Sequence, residues 1–358
     1  MGEVIKGRGA TGYLPGRFEV TVSERVDDGW HGEVAEEFAD VLPRTQVREE
    51  TARSIITRNT SPDISFSQSV NPYRGCEHGC SYCFARPSHA YLGLSPGLDF
   101  ETRLFAKTNA PELLRRELAK PGYQVSPIAL GINTDAYQPI ERKLQLTRRL
   151  IEVLAETRHP FSLITKNALV TRDLDLLAPL ARDHLVCVYL SVTSLDNRLS
   201  AVLEPRASAP HSRLRAIRQL RDAGVPVGVM VAPVIPWVND REVEAVLEAV
   251  REAGADSAGY VLLRLPHEVA PLFRDWLQTH VPDRAAHVMS TIQQLRGGKD
   301  YDARFGTRMR GQGVYADLLE RRFSLALKRL GYPAKRPRQL DCSLFKPPRT
   351  PSPQGELF

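Results

Sequence analysis

At 358 residues, with 42% hydrophobic and 25% charged side chains, the chain has a globular composition and can bury one large core or two ordinary ones. The opening Met1-Gly-Glu-Val-Ile-Lys lacks the apolar core of a secretion signal, and the longest apolar stretch, Val225 to Val238, is interrupted by Pro226, Pro233 and Pro236; a cytoplasmic location is expected, without a membrane span. The net charge of +6 is concentrated at one end: residues 301–358 carry 12 Lys or Arg against 5 Asp or Glu, a local +7 that marks either a nucleic-acid contact or a solvated tail.

In chain order, residues 1–65 read as an N-terminal extension, with a short strand pair between Thr45 and Thr57. Phe66–Val70 reads as a strand. An alternation of helix and strand follows. The helices are Pro111–Lys120, Glu141–Thr157, Arg172–Asp183, Ser212–Ala223, Asp240–Ala253 and Ala270–His280. The strands between them are Ile128–Asn133, Phe161–Lys166, Leu185–Val192, Val227–Val231 and Ala258–Leu263. Repeated units of this length imply a parallel sheet with helices outside. Six strands fit an α/β fold of the open, partial (β/α)6 TIM-like barrel type over residues 66–282. A helical extension (283–331) and a basic, Pro-rich tail (332–358) follow.

Side-chain parity supports this arrangement. In Leu185–Thr193, Val186, Val188, Leu190 and Val192 share one face, and Cys187, Tyr189, Ser191 and Thr193 the other. The apolar face belongs under helices, and the polar face toward the lumen. Ser191 and Thr193 then lie near the C-terminal rim, where such barrels keep their chemistry. Cys187 lies about 20 Å lower at ~3.3 Å per residue, too deep to act.

The run Asn71-Pro-Tyr-Arg-Gly-Cys-Glu-His-Gly-Cys-Ser-Tyr-Cys-Phe84 places Cys76, Cys80 and Cys83 in a C-x3-C-x2-C pattern. Three thiolates on one short loop can hold three irons of a [4Fe–4S] cluster and leave the fourth open. A zinc site would need a further ligand from His78, His89, Cys187 or Cys342, none at zinc-ligand spacing, and five cysteines make a poor disulfide framework. With the aromatic Tyr82 before the third cysteine, the loop resembles that of the radical S-adenosylmethionine (SAM) enzymes. The resemblance implies that SAM binds the open iron and is cleaved reductively to a 5′-deoxyadenosyl radical. It also implies an electron donor such as flavodoxin or ferredoxin. Tyr82 and the three cysteines are then the catalytic centre.

The rest of a SAM site is expected at strand ends. Asn133, Thr134 and Asp135 suit the SAM amino group or ribose, or else a helix-capping turn. Lys166 suits the SAM carboxylate, or is a solvated strand-end lysine. Ser191 and Thr193 end the next strand. Arg206 follows, and either binds cofactor or pairs with Glu204 on the surface. The apolar Val229–Pro236 is similar to the segment that packs beside adenine in that superfamily, or is plain core.

Further segments, Leu92–Phe100, Tyr260–Pro266 and Tyr301–Gly311, look like a group of radical SAM proteins related to spore photoproduct lyase and called DNA repair photolyase-like. This implies a lyase-like reaction on DNA: hydrogen abstraction from a cross-linked thymine pair, C–C scission, and return of hydrogen from a thiol. The chain departs from that pattern, because Phe84 to Ile132 contains no cysteine; Tyr82, Tyr91 or Tyr137 would have to relay hydrogen, or Cys342 fold back over the barrel mouth. A small-molecule or peptide substrate and a cluster-bearing binding protein are the alternatives. Finally, Gln354-Gly-Glu-Leu-Phe358 resembles the peptide by which bacterial repair proteins bind the sliding clamp, and Gln339–Phe345 is a looser second match.

Overall fold

The computed structural model describes residues 5, 7–19, 44–333 and 339–348. Ten strands occur in them: β1 (Gln46–Glu50), β2 (Ile56–Arg58), β3 (Gln68–Val70), β4 (Tyr73–Arg74), β5 (Arg103–Lys107), β6 (Ile128–Leu130), β7 (Phe161–Thr165), β8 (Val186–Ser191), β9 (Val227–Val234) and β10 (Ser257–Leu262). Seven form one sheet in the order β10-β9-β8-β7-β6-β3-β2. The six strands from β3 to β10 are mutually parallel, and only β2 runs antiparallel. Neither edge, β2 nor β10, pairs with the other among the described residues. The result is an open α/β sheet with the six parallel strands expected of a partial (β/α)6 barrel.

Parity decides what each face does. Val186, Val188, Leu190 and Val192 are all fully buried in the main core, under the helices that connect the strands. Burial of each such side chain contributes about 1.5–3 kcal/mol. Helices Ala110–Leu118, Leu146–Glu156, Leu174–Arg182, Pro210–Asp222 and Val243–Glu252 bring Leu114, Leu150, Leu177, Ile217 and Leu247 to that core. Pro210–Asp222 ends at Ala223, and Gly224 then adopts φ +78°, a left-handed stop that favours glycine.

Two segments differ from expectation. The strand pair expected between Thr45 and Thr57 does not form: β1 pairs with β5, and β2 with β3. The connection is held open from the side, because Asn109 brackets the backbone of Ala52 (3.0 and 2.9 Å) and the Glu117 carboxylate takes the N–H groups of Ile55 and Ile56 (2.7 and 3.1 Å). The helix expected over Glu141–Thr157 breaks at Gln145, whose φ is +51°. The buried Glu141 carboxylate accepts from the N–H groups of Thr147 (3.1 Å) and Arg148 (3.3 Å), so it caps a fresh helix start.

A second apolar cluster lies at the C-terminal ends of the strands. It joins Cys80 and Tyr82 to Ile235, Leu263, Trp276 and Ile292. Trp276 belongs to helix Val269–His280 and Ile292 to helix Pro282–Leu295, so these helices build the wall beside the cysteine loop. Trp276 Nε1 donates to Val202 O (2.9 Å), and its ring stacks on Phe273 at 5.5 Å.

The opposite end is closed by the segment 339–348. Asp341 N–H donates to His184 O (3.0 Å) and Lys346 N–H to Thr157 O (2.8 Å). The Phe345 ring packs 5.2 Å from His159 and 5.7 Å from Tyr123. His159, His184 and Tyr123 all precede strands, so Cys342 sits at the floor of the sheet and does not fold over the mouth. Leu344 and Phe345, the apolar pair of the looser clamp-like match, are packed against the core. Gln354–Phe358 lies outside the described residues. No helix among the described residues is long and apolar enough to cross a membrane.

Candidate active site

The cysteine loop leaves the C-terminal end of β3. Two glycines let it turn tightly. Gly75 has φ +78°, and a Cβ there would stand 2.7 Å from Leu104 Cδ2 and 2.8 Å from Phe100 O. Gly79 has φ +65°, and its Cβ would meet Glu101 Oε2 at 2.5 Å. Cys76 N–H donates to Phe100 O (2.9 Å), and Cys83 N–H to Cys80 O (3.2 Å).

Arg86 braces this loop from beneath. Its Nε donates to Cys80 O (2.9 Å), one terminal nitrogen to Gly79 O (3.1 Å), and the other to Pro96 O (3.1 Å) and Gly97 O (2.8 Å). It is fully buried and ion-paired with the equally buried Glu101. Glu101 in turn accepts from the N–H groups of Gly9 (3.0 Å) and Ala10 (2.9 Å), so the N-terminal segment is laced to the loop. Sequence reasoning missed this clamp. An arginine three residues past a cysteine run is a visible signal; its partner 15 residues later is not.

A second layer braces the loop from the sheet. Thr134 Oγ1 donates to Gly75 O (2.7 Å), and Gln138 holds Glu77 N–H (2.8 Å). The Asp135 carboxylate collects His78 Nδ1 (3.2 Å), Thr165 Oγ1 (2.6 Å) and Lys166 N–H (2.8 Å). Burial alone would raise its pKa, but His78 and these donors outweigh burial and hold it at about 2. Thr134 and Asp135 thus tie the end of β6 to the cysteine loop. Asn133 is exposed, its N–H bonded to Asn71 Oδ1 (2.8 Å).

The third layer is a buried charge network beside Cys80. The Glu204 carboxylate accepts from Tyr82 Oη, Thr193 Oγ1 (2.6 Å) and Arg213, all buried. Glu204 therefore does not pair with Arg206 on the surface. Arg213 takes it instead because Arg213 also reaches Ser191 O (3.0 Å) and Ser208 O (2.7 Å) and is held in place. Arg206 pairs with Glu77 (3.1 Å), and its N–H meets His78 O (3.3 Å), so it too touches the cysteine loop. Ser191 is buried on the lumen face of β8.

The Lys166 ammonium lies 5.9 Å from the centroid of Tyr82. Burial would lower its pKa, but Cys80, Glu204 and Asp135 more than offset this and hold it raised. It is a cation beside the Tyr82 ring at the end of β7. Val229 and Val231 on β9 are buried in the main core, and Val234 and Ile235 lead toward the second cluster.

The donor set suits an iron–sulfur cluster. Cys83 packs both with Cys76 and Phe100 and with Cys80 and Tyr82, so it links the other two thiols. Among the described residues no three His, Cys, Asp or Glu groups lie together as ligands of a single metal ion. A cubane takes its ligands at separate corners. Ser81 Oγ, buried between Cys80 and Tyr82, has no hydrogen-bond partner, as expected of a donor aimed at a bound group. Burial pushes the Cys80 thiol up to about 12, so a metal bound by it would have to displace its proton.

Residues 70–250 match the Radical SAM superfamily. An uncharacterized protein of Mycobacterium tuberculosis (strain ATCC 25618 / H37Rv) is 39% identical over 222 residues, 62% of this chain and 65% of that protein. An uncharacterized protein of Methanocaldococcus jannaschii is 28% identical over 173 residues, 48% of this chain and 62% of its own length. The chain therefore spans just under two thirds of these relatives. Among solved structures, a spore photoproduct lyase mutant aligns with TM-score 0.56 at 16% identity over 88% of this chain and 86% of that one. Spore photoproduct lyase complexed with dinucleoside spore photoproduct aligns with TM-score 0.55 at 17% identity over 79% of each chain. The fold is the one those lyases share, and with the matched region covering half its length, the chain belongs to the radical SAM superfamily.

Proposed function

We propose that the chain binds a [4Fe–4S] cluster through Cys76, Cys80 and Cys83, cleaves SAM reductively, and acts on nucleic acid. The observation that carries this is the Lys166 ammonium 5.9 Å from the Tyr82 ring of the cysteine loop, at the C-terminal rim, where a carboxylate-bearing cofactor would meet it. A cluster held by Cys76, Cys80 and Cys83 would supply the electron for reductive cleavage of SAM. The protein's own work is to orient and exclude. Arg86 and Glu101 fix the loop, Asp135 ties it to β6 and β7, and Glu204 balances Lys166 and Arg213. The apolar wall of Ile235, Leu263 and Trp276 keeps water from the loop.

Support for nucleic acid comes from the lyase fold and the basic C-terminal end. The C-terminal peptide Gln354–Phe358 would add attachment to a sliding clamp. The reaction differs from thymine-dimer scission with thiol return. All five cysteines are described, and Cys187 and Cys342, the two outside the loop, lie low on β8 and at the floor. This favours as second reading a small-molecule or peptide substrate, or hydrogen return without a thiol. The test is anaerobic turnover of the reconstituted protein with SAM, dithionite and either damaged or undamaged DNA. DNA-dependent consumption of SAM is expected; identical turnover with and without DNA would favour the second reading.

A further inference from the structure

Arg264 differs from the other arginines at the mouth. It lies two residues past β10, and its guanidinium sits between two rings from elsewhere in the chain: 5.2 Å from the centroid of Phe84 and 5.9 Å from that of Tyr301. Phe84 immediately follows Cys83 and is 43% exposed. The two rings hold the guanidinium plane beside the cysteine loop.

Its hydrogen bonds are few. One terminal nitrogen reaches Tyr301 Oη at 3.2 Å and the other Met309 Sδ at 3.5 Å, while the buried Nε has no partner. No carboxylate stands within ion-pair distance of it among the described residues. Arg86 and Arg213, by contrast, each hold a buried glutamate. Nearby Arg296 is spent on the carbonyls of Leu263 and Thr307 (both 2.8 Å) and brings a second positive charge to the same place. Burial and the Arg264 charge together push Arg296 down to about 10. A guanidinium without a carboxylate partner, whose terminal N–H groups rest only on a phenol and a thioether beside the cysteine loop, can take an oxyanion in their place.

We propose that Arg264, flanked by Phe84 and Tyr301, binds a phosphate oxygen pair of a nucleic-acid substrate and so sets the substrate's distance from the cysteine loop. This rests on the nucleic-acid reading above. The planar fork matches phosphate geometry, and the exposed face of Phe84 is placed to stack the adjoining base. Arg264 is then a positioning residue, since the reacting atoms lie toward the cysteines.

The test measures binding of a labelled single-stranded oligonucleotide to the reconstituted full chain at several salt concentrations. Arg264→Gln is expected to weaken binding by about tenfold and to flatten the slope of log affinity against log salt by about 0.7, one phosphate contact. Iron content and SAM affinity should stay at wild-type values. Arg115→Gln, which removes an exposed arginine from the outer helix Ala110–Leu118, should leave the binding unchanged. Should Arg264→Gln fail to fold, Arg264→Lys carries the test: losing the fork should cost about threefold with the charge kept. Oligonucleotide affinity within twofold of wild type in the variant would overturn the inference alone. A loss matched by an equal loss of SAM affinity would assign Arg264 to the cofactor and also overturn it. Wild type that binds no oligonucleotide would sink the nucleic-acid reading, and this inference with it.

Discussion

The two ends of the sheet are built from different chemistry. At the C-terminal ends, charged side chains are buried in pairs and networks: Arg86 with Glu101, Arg213 with Glu204, Asp135 with His78. At the N-terminal ends, closure is largely aromatic: Phe345, Tyr123 and His159 pack together, backbone bonds tie 339–348 to the strand starts, and the Arg158–Asp183 ion pair there is part-exposed. Burying charge costs several kcal/mol per ion unless partners are fixed with good geometry. The chain incurs this cost mainly around the cysteine loop, where the paired charges keep the loop rigid.

The largest effects are expected at the mouth. Cys80→Ala is expected to lose most of the bound iron after reconstitution, measured by iron analysis and the visible spectrum; full iron retention would show that the loop does not hold the cluster. Glu101→Ala leaves a buried arginine uncompensated and should cost about 3–5 kcal/mol in denaturant unfolding, with weakened iron binding. An unchanged midpoint would mean that the clamp is idle. Lys166→Met keeps the length of the side chain and removes its cation. SAM affinity should fall about tenfold, a hydrogen-bonded charge being worth about 1.5–3 kcal/mol, while iron content holds. Loss of both together would make Lys166 a scaffold residue.

At the floor the expected effects are smaller and pH-dependent. Burial lowers the His159 pKa to about 4, below the ordinary 6.5. A group depressed in the folded state gives stability that is complete above its unfolded pKa. It is lost as pH falls from about 6.5 to about 4, at most roughly 3 kcal/mol. The melting temperature of wild type should fall through that window, and His159→Gln should flatten the fall. A variant with the same pH profile as wild type would remove His159 from the explanation.

The sequence carried the parallel alternation, because strand and helix periods differ and Val186–Val192 has unambiguous parity. It also carried the cysteine loop, since one contiguous run holds all three thiols. The pairing of β1 with β5 was not legible, because it depends on Asn109 and Glu117 prying a short exposed segment away from its neighbour. Nor was the partnering of Glu204: Arg206 is adjacent in sequence, whereas Arg213 wins by its position on the helix behind β8. The roles of Thr134 and Asp135 as ties to the loop were hidden for the same reason. A polar residue at a strand end looks alike whether it faces a cofactor or the loop that will hold one.

This charge-braced loop is expected to support reductive cleavage of SAM. The most direct measurement is 5′-deoxyadenosine formed anaerobically from SAM and dithionite by reconstituted wild type and by Cys80→Ala. Product from wild type and none from the variant is the predicted result. Wild type that holds about four irons yet forms no 5′-deoxyadenosine would contradict it.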